Sequence, residues 1–297
     1  MKRILLACCS FVLLVISCVS DYDGLLSESE PIPVLNGVLY SDSLLSINFS
    51  MSNHPKEKEF EPIFNATFNL KKNGKQISSS YKQSDDGTYY FNDTCRNGDN
   101  YEIEVQIPGF STLSSKTVIP QKPTITITET EKKENQRTSQ NFDLEINNIG
   151  NEINALYVFL FLGEKDKNGA LNWEQRGIYC NSPFTDPFNR FFDSWAPEGF
   201  SYEYEYFVRF PIENLPNRNL QTQLAFLGGS EIARFYVLAA TKEYDLYYKG
   251  GYLQRSYDPE VNLPFTYQPI FIPSNINGGA GIFSGIDLSL FDFGNKQ

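Results

Sequence analysis

Hydrophobic and polar positions alternate in short runs through most of the chain. Val34–Tyr40, Leu44–Met51, Phe64–Lys71, Thr88–Phe91, Tyr101–Ile107 and Thr112–Ile119 each have alternating or β-rich character. A period of two turns one face of each run toward a core and the other toward water, so each predicts a strand. Turn-forming pairs lie between them: Asn73-Gly74, Asp86-Gly87, Asn97-Gly98 and Pro108-Gly109. Asn73-Gly74, between Phe68-Asn69-Leu70 and Ile77, is the strongest hairpin signal, because both residues tolerate the positive φ of a type I′ turn. Closely spaced strands with such turns predict a small β-sandwich over residues 34–120, immunoglobulin-like or transthyretin-like in kind.

Pro120-Gln121-Lys122-Pro123 interrupts the pattern and is read as a domain boundary, with a second, β-rich domain over residues 121–297. Thr124–Thr130 alternates again. The charged run Glu131–Arg137 reads as a solvated loop, and Phe142–Ile146 as a strand. Leu156–Leu162 is apolar without alternation, which predicts a central strand buried on both faces. Lys167-Asn168-Gly169 predicts a hairpin turn into a strand over Trp173–Tyr179. Tyr202–Phe210, Thr222–Leu227 and Ala233–Ala240 are further strands. Thr241–Tyr257 is the one good helix candidate: Thr241 is placed to cap it, Tyr244, Tyr247, Tyr248 and Leu253 recur near helical spacing, and Gly250-Gly251 weakens it. Pro269–Pro273 and Gly281–Ser284 end the fold. The expectation is a mainly β protein of two sandwich-like domains with one short helix near the C-terminus.

The first residues change the picture. Met1-Lys2-Arg3 is basic, Ile4–Ile16 is apolar but too short to span a bilayer, and Val15-Ile16-Ser17-Cys18 follows. This is the layout of a secretory signal peptide over residues 1–17. A cysteine directly after the small residue resembles a bacterial lipoprotein signal, with cleavage before Cys18 and acylation of its thiol. The other reading is a plain secretory leader in which Cys18 is incidental. Residues 18–33, rich in Ser, Glu and Pro, read as a flexible acidic tether.

Of 297 residues about 280 remain after such cleavage, enough for two domains with real cores. Losing Lys2 and Arg3 takes the net charge from -11 to -13. Lys and Arg form no patch, so a phosphate backbone would be repelled, which argues against nucleic acid as a partner. It also argues against docking on anionic lipid by charge, so the acyl chains would do the tethering. After Cys8, Cys9 and Cys18 are assigned to the leader and the lipid, Cys95 and Cys180 remain. They are either a disulfide stapling the two domains together or two separate buried thiols. Those two and the lone His54 are too few to hold zinc.

The other candidate chemistry is sparse. In Tyr202-Glu203-Tyr204-Glu205-Tyr206 a strand would hold the two glutamates roughly 6.5–7 Å apart, within the span of glycosidase carboxylates. Same-strand neighbours point in parallel toward solvent, however, and not across a cleft. His54, in Asn53-His54-Pro55-Lys56, reads as a loop residue. Asp166-Lys167-Asn168-Gly169 opens like a calcium loop but lacks the later acidic ligands, so it reads as a turn. Asn277-Gly278-Gly279-Ala280-Gly281 is followed by no helix pattern and reads as a bend where backbones pack closely, not as a phosphate cradle. Asn181–Gly199 is a long loop carrying Phe184, Phe188, Phe191, Phe192 and Trp195. With an aromatic share of 15% in the chain, this loop is the best candidate for a partner-binding surface, the other reading being a loop folded onto its own core.

The C-terminal third also carries a family likeness. Lys242-Glu243-Tyr244-Asp245-Leu246-Tyr247-Tyr248, then Asp258-Pro259, then Pro273-Ser274-Asn275-Ile276-Asn277-Gly278-Gly279-Ala280-Gly281-Ile282-Phe283 resembles a large Bacteroidota family of outer-membrane lipoproteins, a DUF4249-like domain of unknown function. Val34–Val38 and Gly98–Gly109 fit its N-terminal part. The resemblance implies encoding beside TonB-dependent receptors and exposure on the cell surface. Asp21 and Asp23, just after Cys18, resemble the surface-export signal of that phylum, and Asp42-Ser43-Leu44 resembles its short O-glycosylation motif. The resemblance transfers no catalytic residue, metal or cofactor. Together these readings lead to an expectation of a non-enzymatic, surface-facing outer-membrane lipoprotein. It would serve an outer-membrane β-barrel in TonB-dependent uptake or barrel assembly, the alternative being a free-standing glycan- or host-binding adhesin.

Overall fold

The structure is a computed structural model that describes residues 30–53, 59–77, 80–130, 133–134, 138–167, 169–228, 232–256 and 271–294. The readings of Cys18, Asp21, Asp23, His54 and Asp258-Pro259 lie outside the described residues.

The protein is mainly β. The first half holds β1 (Pro33–Tyr40), β2 (Leu44–Met51), β3 (Thr67–Lys72), β4 (Lys75–Gln76), β5 (Tyr81–Gln83), β6 (Thr88–Thr94), β7 (Asn100–Gln106) and β8 (Leu113–Val118). The second holds β9 (Thr124–Glu129), β10 (Lys133–Glu134), β11 (Thr138–Asn147), β12 (Ala155–Lys165), β13 (Leu171–Arg176), β14 (Ile178–Cys180), β15 (Arg190–Phe192), β16 (Tyr202–Tyr204), β17 (Val208–Pro211), β18 (Leu220–Leu227), β19 (Ile232–Ala240), the helix α1 (Lys242–Ser256) and β20 (Ala280–Phe293).

A large sheet runs β13-β12-β19-β20-β1-β2-β6-β5, with β17 also paired to β12. Its β1-side half faces the sheet β4-β3-β7-β8, and the space between is filled by Leu35, Ile47, Phe49, Phe68, Tyr89, Phe91, Tyr101 and their neighbours. Its β12-side half faces the sheet β10-β11-β18-β14-β16-β15, joined at β11 by β9, around Phe142, Leu156, Val158, Phe226, Phe235 and Val237. The two halves are thus two sandwiches sharing one sheet. Alternation explains the assignments. In β12, Leu156, Val158, Leu160 and Leu162 enter the second core, while Ala155 and Tyr157 face α1 on the other side. Both faces of this strand are buried, as its unbroken apolar run implies. The hairpin between β3 and β4 turns on Asn73 (φ 53) and Gly74 (φ 75), as the Asn-Gly pair demands.

The expected division at residue 120 needs amending. β20 pairs in parallel with β1 over Ala280–Ile286 and antiparallel with β19 over Ile286–Phe293. Ile276 and Phe283 belong to the first core, and Phe291 and Phe293 pack against the second. The last strand therefore completes both sandwiches, and the C-terminal region is not one continuous domain from 121 to 297. The glycine-rich bend before β20 allows this close approach. Gly281 has φ +108, and a Cβ there would sit 2.1 Å from the Leu35 carbonyl oxygen. At Gly285 a Cβ would meet the Val118 carbonyl oxygen at 1.9 Å, where β8 closes over β20.

Three local expectations are also corrected. The strand expected over Trp173–Tyr179 is two strands in different sheets, β13 and β14, broken at Gly177. The Glu203 side chain occupies the space beside Gly177, where a Cβ would stand 2.1 Å from its carboxylate. Tyr202–Phe210 is likewise split into β16 and β17, because Tyr204 must enter the inter-sheet core and Phe207 the cluster beneath α1. The Thr241 hydroxyl does not cap α1: it is buried and makes no hydrogen bond. Gly250 in α1 is buried beside Ile272, where a Cβ would make ordinary contact at 3.4 Å.

Phe283→Ala is expected to destabilise the protein by about 3–5 kcal/mol. Because β20 is shared, cleavage between the exposed Gln121 and Lys122 is expected to give fragments that elute together under native conditions. Size-exclusion chromatography after limited proteolysis checks this; fragments that separate without denaturant would refute the shared strand.

Candidate binding surface

The loop between β14 and β15 is rooted in buried structure. Pro183 and Pro187 keep it out of any strand ladder. Thr185 Oγ1 donates to the Ser182 carbonyl (3.0 Å) and so accepts from the Tyr204 hydroxyl (2.6 Å). Phe184 packs against the inter-sheet core. Phe188 packs beneath α1, with ring centroids 5.9 Å from Phe207 and 5.5 Å from Tyr252. Asn189 Nδ2 donates to the Phe207 carbonyl at 2.7 Å.

A charged network clamps this root to the helix. Asp186 Oδ2 accepts from Arg209 Nη1 (2.7 Å) and Lys249 Nζ (2.5 Å), and the Lys249 ammonium also lies 4.9 Å above the Phe188 ring. On its other edge Arg209 forms a fork with Asp245: Nε to Oδ1 at 2.7 Å and Nη2 to Oδ2 at 2.6 Å. Tyr157 Oη donates to Asp245 Oδ1 and Asn154 Nδ2 to Asp245 Oδ2, both at 2.6 Å. Four donors thus occupy the four lone-pair positions of a fully buried carboxylate, which leaves none for proton transfer. Two anions face two cations, which is the condition for burying such charges. Burial works against the Arg209 charge, but the hydrogen bonds and attraction of Asp245 outweigh it and hold its pKa above the ordinary guanidinium value. Burial, reinforced by the Asp245 charge, pushes the Tyr157 hydroxyl well above the usual phenol range. Sequence reasoning missed this network. Its signals were an arginine inside the apolar run Phe207–Pro211 and an aspartate within a tyrosine-rich helix.

Beyond the root, the aromatics turn outward. β15 is the edge strand of its sheet, and Phe191 and Phe192 on it are 48% and 69% exposed. Trp195 is 63% exposed. The Arg190 guanidinium lies 4.3 Å above the Tyr202 ring, and Phe192 meets the same ring edge-on at 6.3 Å. The five aromatic candidates therefore divide. Phe184 and Phe188 are anchors and leave the candidate surface. Phe191, Phe192 and Trp195 form it.

The remaining candidates resolve as follows. Glu203 and Glu205 do not share a strand face, because the chain bends after Tyr204. Glu203 lies instead beside Tyr179, whose hydroxyl donates to Asp193 Oδ2 at 2.8 Å. Burial pushes the Glu203 carboxyl above its usual 4.5; the Tyr179 hydrogen bond opposes this and the Asp193 charge adds to it. Cys95 and Cys180 are free, buried, and in separate cores, so no disulfide staples the two halves. Burial pushes the Cys95 thiol up to about 11, which makes it a poor nucleophile. Asp166 closes a turn by accepting from the Ala170 amide at 2.8 Å. Among the described residues no group of three or more His, Cys, Asp or Glu is placed to hold a metal ion.

Two expected outcomes follow from this geometry. Arg209→Ala leaves Asp245 buried without its counter-charge and is expected to cost about 3–5 kcal/mol, read by denaturant unfolding. The second concerns pH. The folded state favours protonated Glu203, so the stability this brings is full below 4.5 and is lost as pH rises through the raised value. Asp99 acts oppositely: burial opposes its charge, but Lys72 and Asn73 outweigh it, so its contribution is lost as pH falls below 3.8. The two windows are separate. Glu203→Gln is expected to flatten the decline of melting temperature on the neutral side of 4.5, and an unchanged slope would refute the assignment.

Comparison with known proteins gives one family. No curated protein matches the sequence. Among solved structures, Salmonella alpha-2-macroglobulin reacted with methylamine matches at 11% identity with a TM-score of 0.25, covering 72% of this chain and 14% of that one. The family model for the domain of unknown function DUF4249 matches residues 20–288, and the chain belongs to that family.

Proposed function

We propose that this protein is a lipid-anchored outer-membrane protein, held at Cys18 and facing outward under the export signal of Asp21 and Asp23. It works without catalysis as an accessory subunit of an outer-membrane β-barrel, in TonB-dependent uptake or in barrel assembly. The observation that carries the reading is the exposed trio Phe191, Phe192 and Trp195 on a loop whose root is clamped by Asp186, Arg209 and Lys249. Large aromatics on a pre-ordered element suit a protein interface, because little conformational freedom is lost on docking. Among the described residues no helix is long and apolar enough to cross a membrane. The family resemblance supports the choice of a barrel as partner.

The test is affinity capture of the tagged full-length protein from detergent-solubilised outer membrane. Wild type is expected to recover a β-barrel protein. Trp195→Ala and Phe192→Ala are expected to weaken recovery, each by about 2 kcal/mol or more, with an unchanged melting temperature. Phe188→Ala is expected to lower the melting temperature instead. Wild-type protein that recovers no barrel but binds polysaccharide overturns the reading in favour of a free-standing adhesin.

A further inference from the structure

A second concave site lies on the helix side of the molecule, apart from the exposed trio. It is a cleft of about 500 Å³, whose lining includes Gln175, Glu205, Tyr206, Tyr248, Tyr252 and Arg255. This size falls within the roughly 300–1,000 Å³ of small-molecule sites. Three elements converge on it: β13, the corner between β16 and β17, and the last two turns of α1. The bend that separates Glu205 from the β16 ladder is what turns Glu205 and Tyr206 into this cleft.

The lining constrains the ligand. Its aromatic side chains are fixed from behind. Phe207 is fully buried, Tyr252 meets it edge-on at 5.2 Å, and Tyr248 lies 5.4 Å from it. Tyr206 is 44% exposed and stands 6.2 Å from Tyr252 at a 69° interplanar angle. Gln175 Nε2 holds the Tyr206 carbonyl at 2.8 Å. The polar groups are a carboxylate, a guanidinium, an amide and hydroxyls. Tyr252 Oη already donates to Glu205 Oε2 at 3.2 Å, and a hydrogen bond to Glu205 raises the Tyr206 hydroxyl. The charges of Glu205 and Arg255 cancel, so a phosphate or sulfate ester would meet repulsion as well as attraction. A purely apolar ligand would desolvate the guanidinium, and the carboxylate's remaining lone pairs, without supplying new hydrogen bonds. What fits is a neutral molecule with apolar C–H faces for the rings and many hydroxyls that both donate and accept.

We infer that this cleft binds a neutral saccharide. Glu205 and Gln175 take sugar hydroxyls as acceptor and donor, Arg255 donates further hydrogen bonds, and Tyr206 stacks on a pyranose face. This site is separate from the docking surface, so each can fail without the other.

The test is saturation-transfer difference NMR and calorimetry on the full-length protein in detergent. The probes are maltotriose, cellotriose, xylotriose and triacetylchitotriose at millimolar concentration, with adenosine monophosphate as the charged comparison. At least one trisaccharide is expected to bind. Glu205→Gln and Tyr206→Ala should each weaken it about tenfold or more while the melting temperature holds, since both residues are exposed. Trp195→Ala should leave sugar binding unchanged while it weakens barrel recovery. Binding of none of the four trisaccharides, tighter binding of the nucleotide, or sugar binding indifferent to both cleft substitutions would each overturn the inference.

Discussion

The fold depends on β20 having partners on both edges. One edge is taken by β1 over Ala280–Ile286 and the other by β19 over Ile286–Phe293, and the two ladders overlap only at Ile286. The parallel ladder joins the first described strand to the last, so its closure carries the entropy cost of a very long loop. Until it forms, β1 presents an open edge rich in apolar residues, the kind of edge that invites pairing with other chains. What makes the ladder worth its cost is side-chain burial. Phe283 enters one core, Phe291 and Phe293 the other, and the glycines at 281 and 285 let neighbouring backbones close over the strand.

This arrangement leaves the second half with three layers. The shared sheet has the β11–β18 sheet on one side and α1 on the other. The first interface is mainly apolar and carries no ion pair among the described residues, whereas beneath the helix Tyr244, Tyr248 and Tyr252 accompany the buried Arg209–Asp245 pair. An apolar pair of similar volume would fill the same space at lower desolvation cost. The ion pair adds direction, because a fork of two hydrogen bonds fixes the rotation of α1 over β17 in a way that interchangeable rings do not. Asp186 extends the same constraint to the aromatic loop.

Most strands were legible because alternation reports one buried face. Leu44–Met51 and Tyr101–Ile107 agree with β2 and β7 to within a residue, and the positive-φ glycines at 74, 87, 98 and 109 fall where the turn pairs stand. Legibility failed where burial does not follow polarity. Ile286-Asp287-Leu288-Ser289-Leu290 alternates, yet the expected ending stops at Ser284, and the fold buries the polar positions while Leu288 and Leu290 are exposed. In the fold Asp287 is buried, accepting from Asn97 Nδ2 at 2.7 Å, and Ser289 is buried beside it. Trp173–Tyr179 and Tyr202–Phe210 each looked like one strand because a sheet-to-sheet crossing preserves β character on both sides of a single bend. The aromatic loop was found by composition, but composition cannot divide it. Phe188 and Phe192 are the same residue type, one seated under a helix and the other on an edge strand.

The chain holds 24 Phe and 18 Tyr, and the cores absorb many of them as spacers between sheets. The exposed trio and the polar cleft depend on the same support. Phe188 and Asp186 at the loop root touch Tyr252 and Lys249 of α1, while Tyr248 and Tyr252 form the wall of the cleft. One neutral network of four charges therefore orients both surfaces. The sandwiches supply the stability on which it rests, and the second contributes Phe191 and Phe192 to the exposed surface through its edge strand β15. Changes that loosen Arg209, Asp245 or Asp186 act on both surfaces at once, whereas changes at Trp195 or Tyr206 act on one. The boundary between that network and the residues it carries therefore separates side chains that hold the fold from side chains that only present a surface.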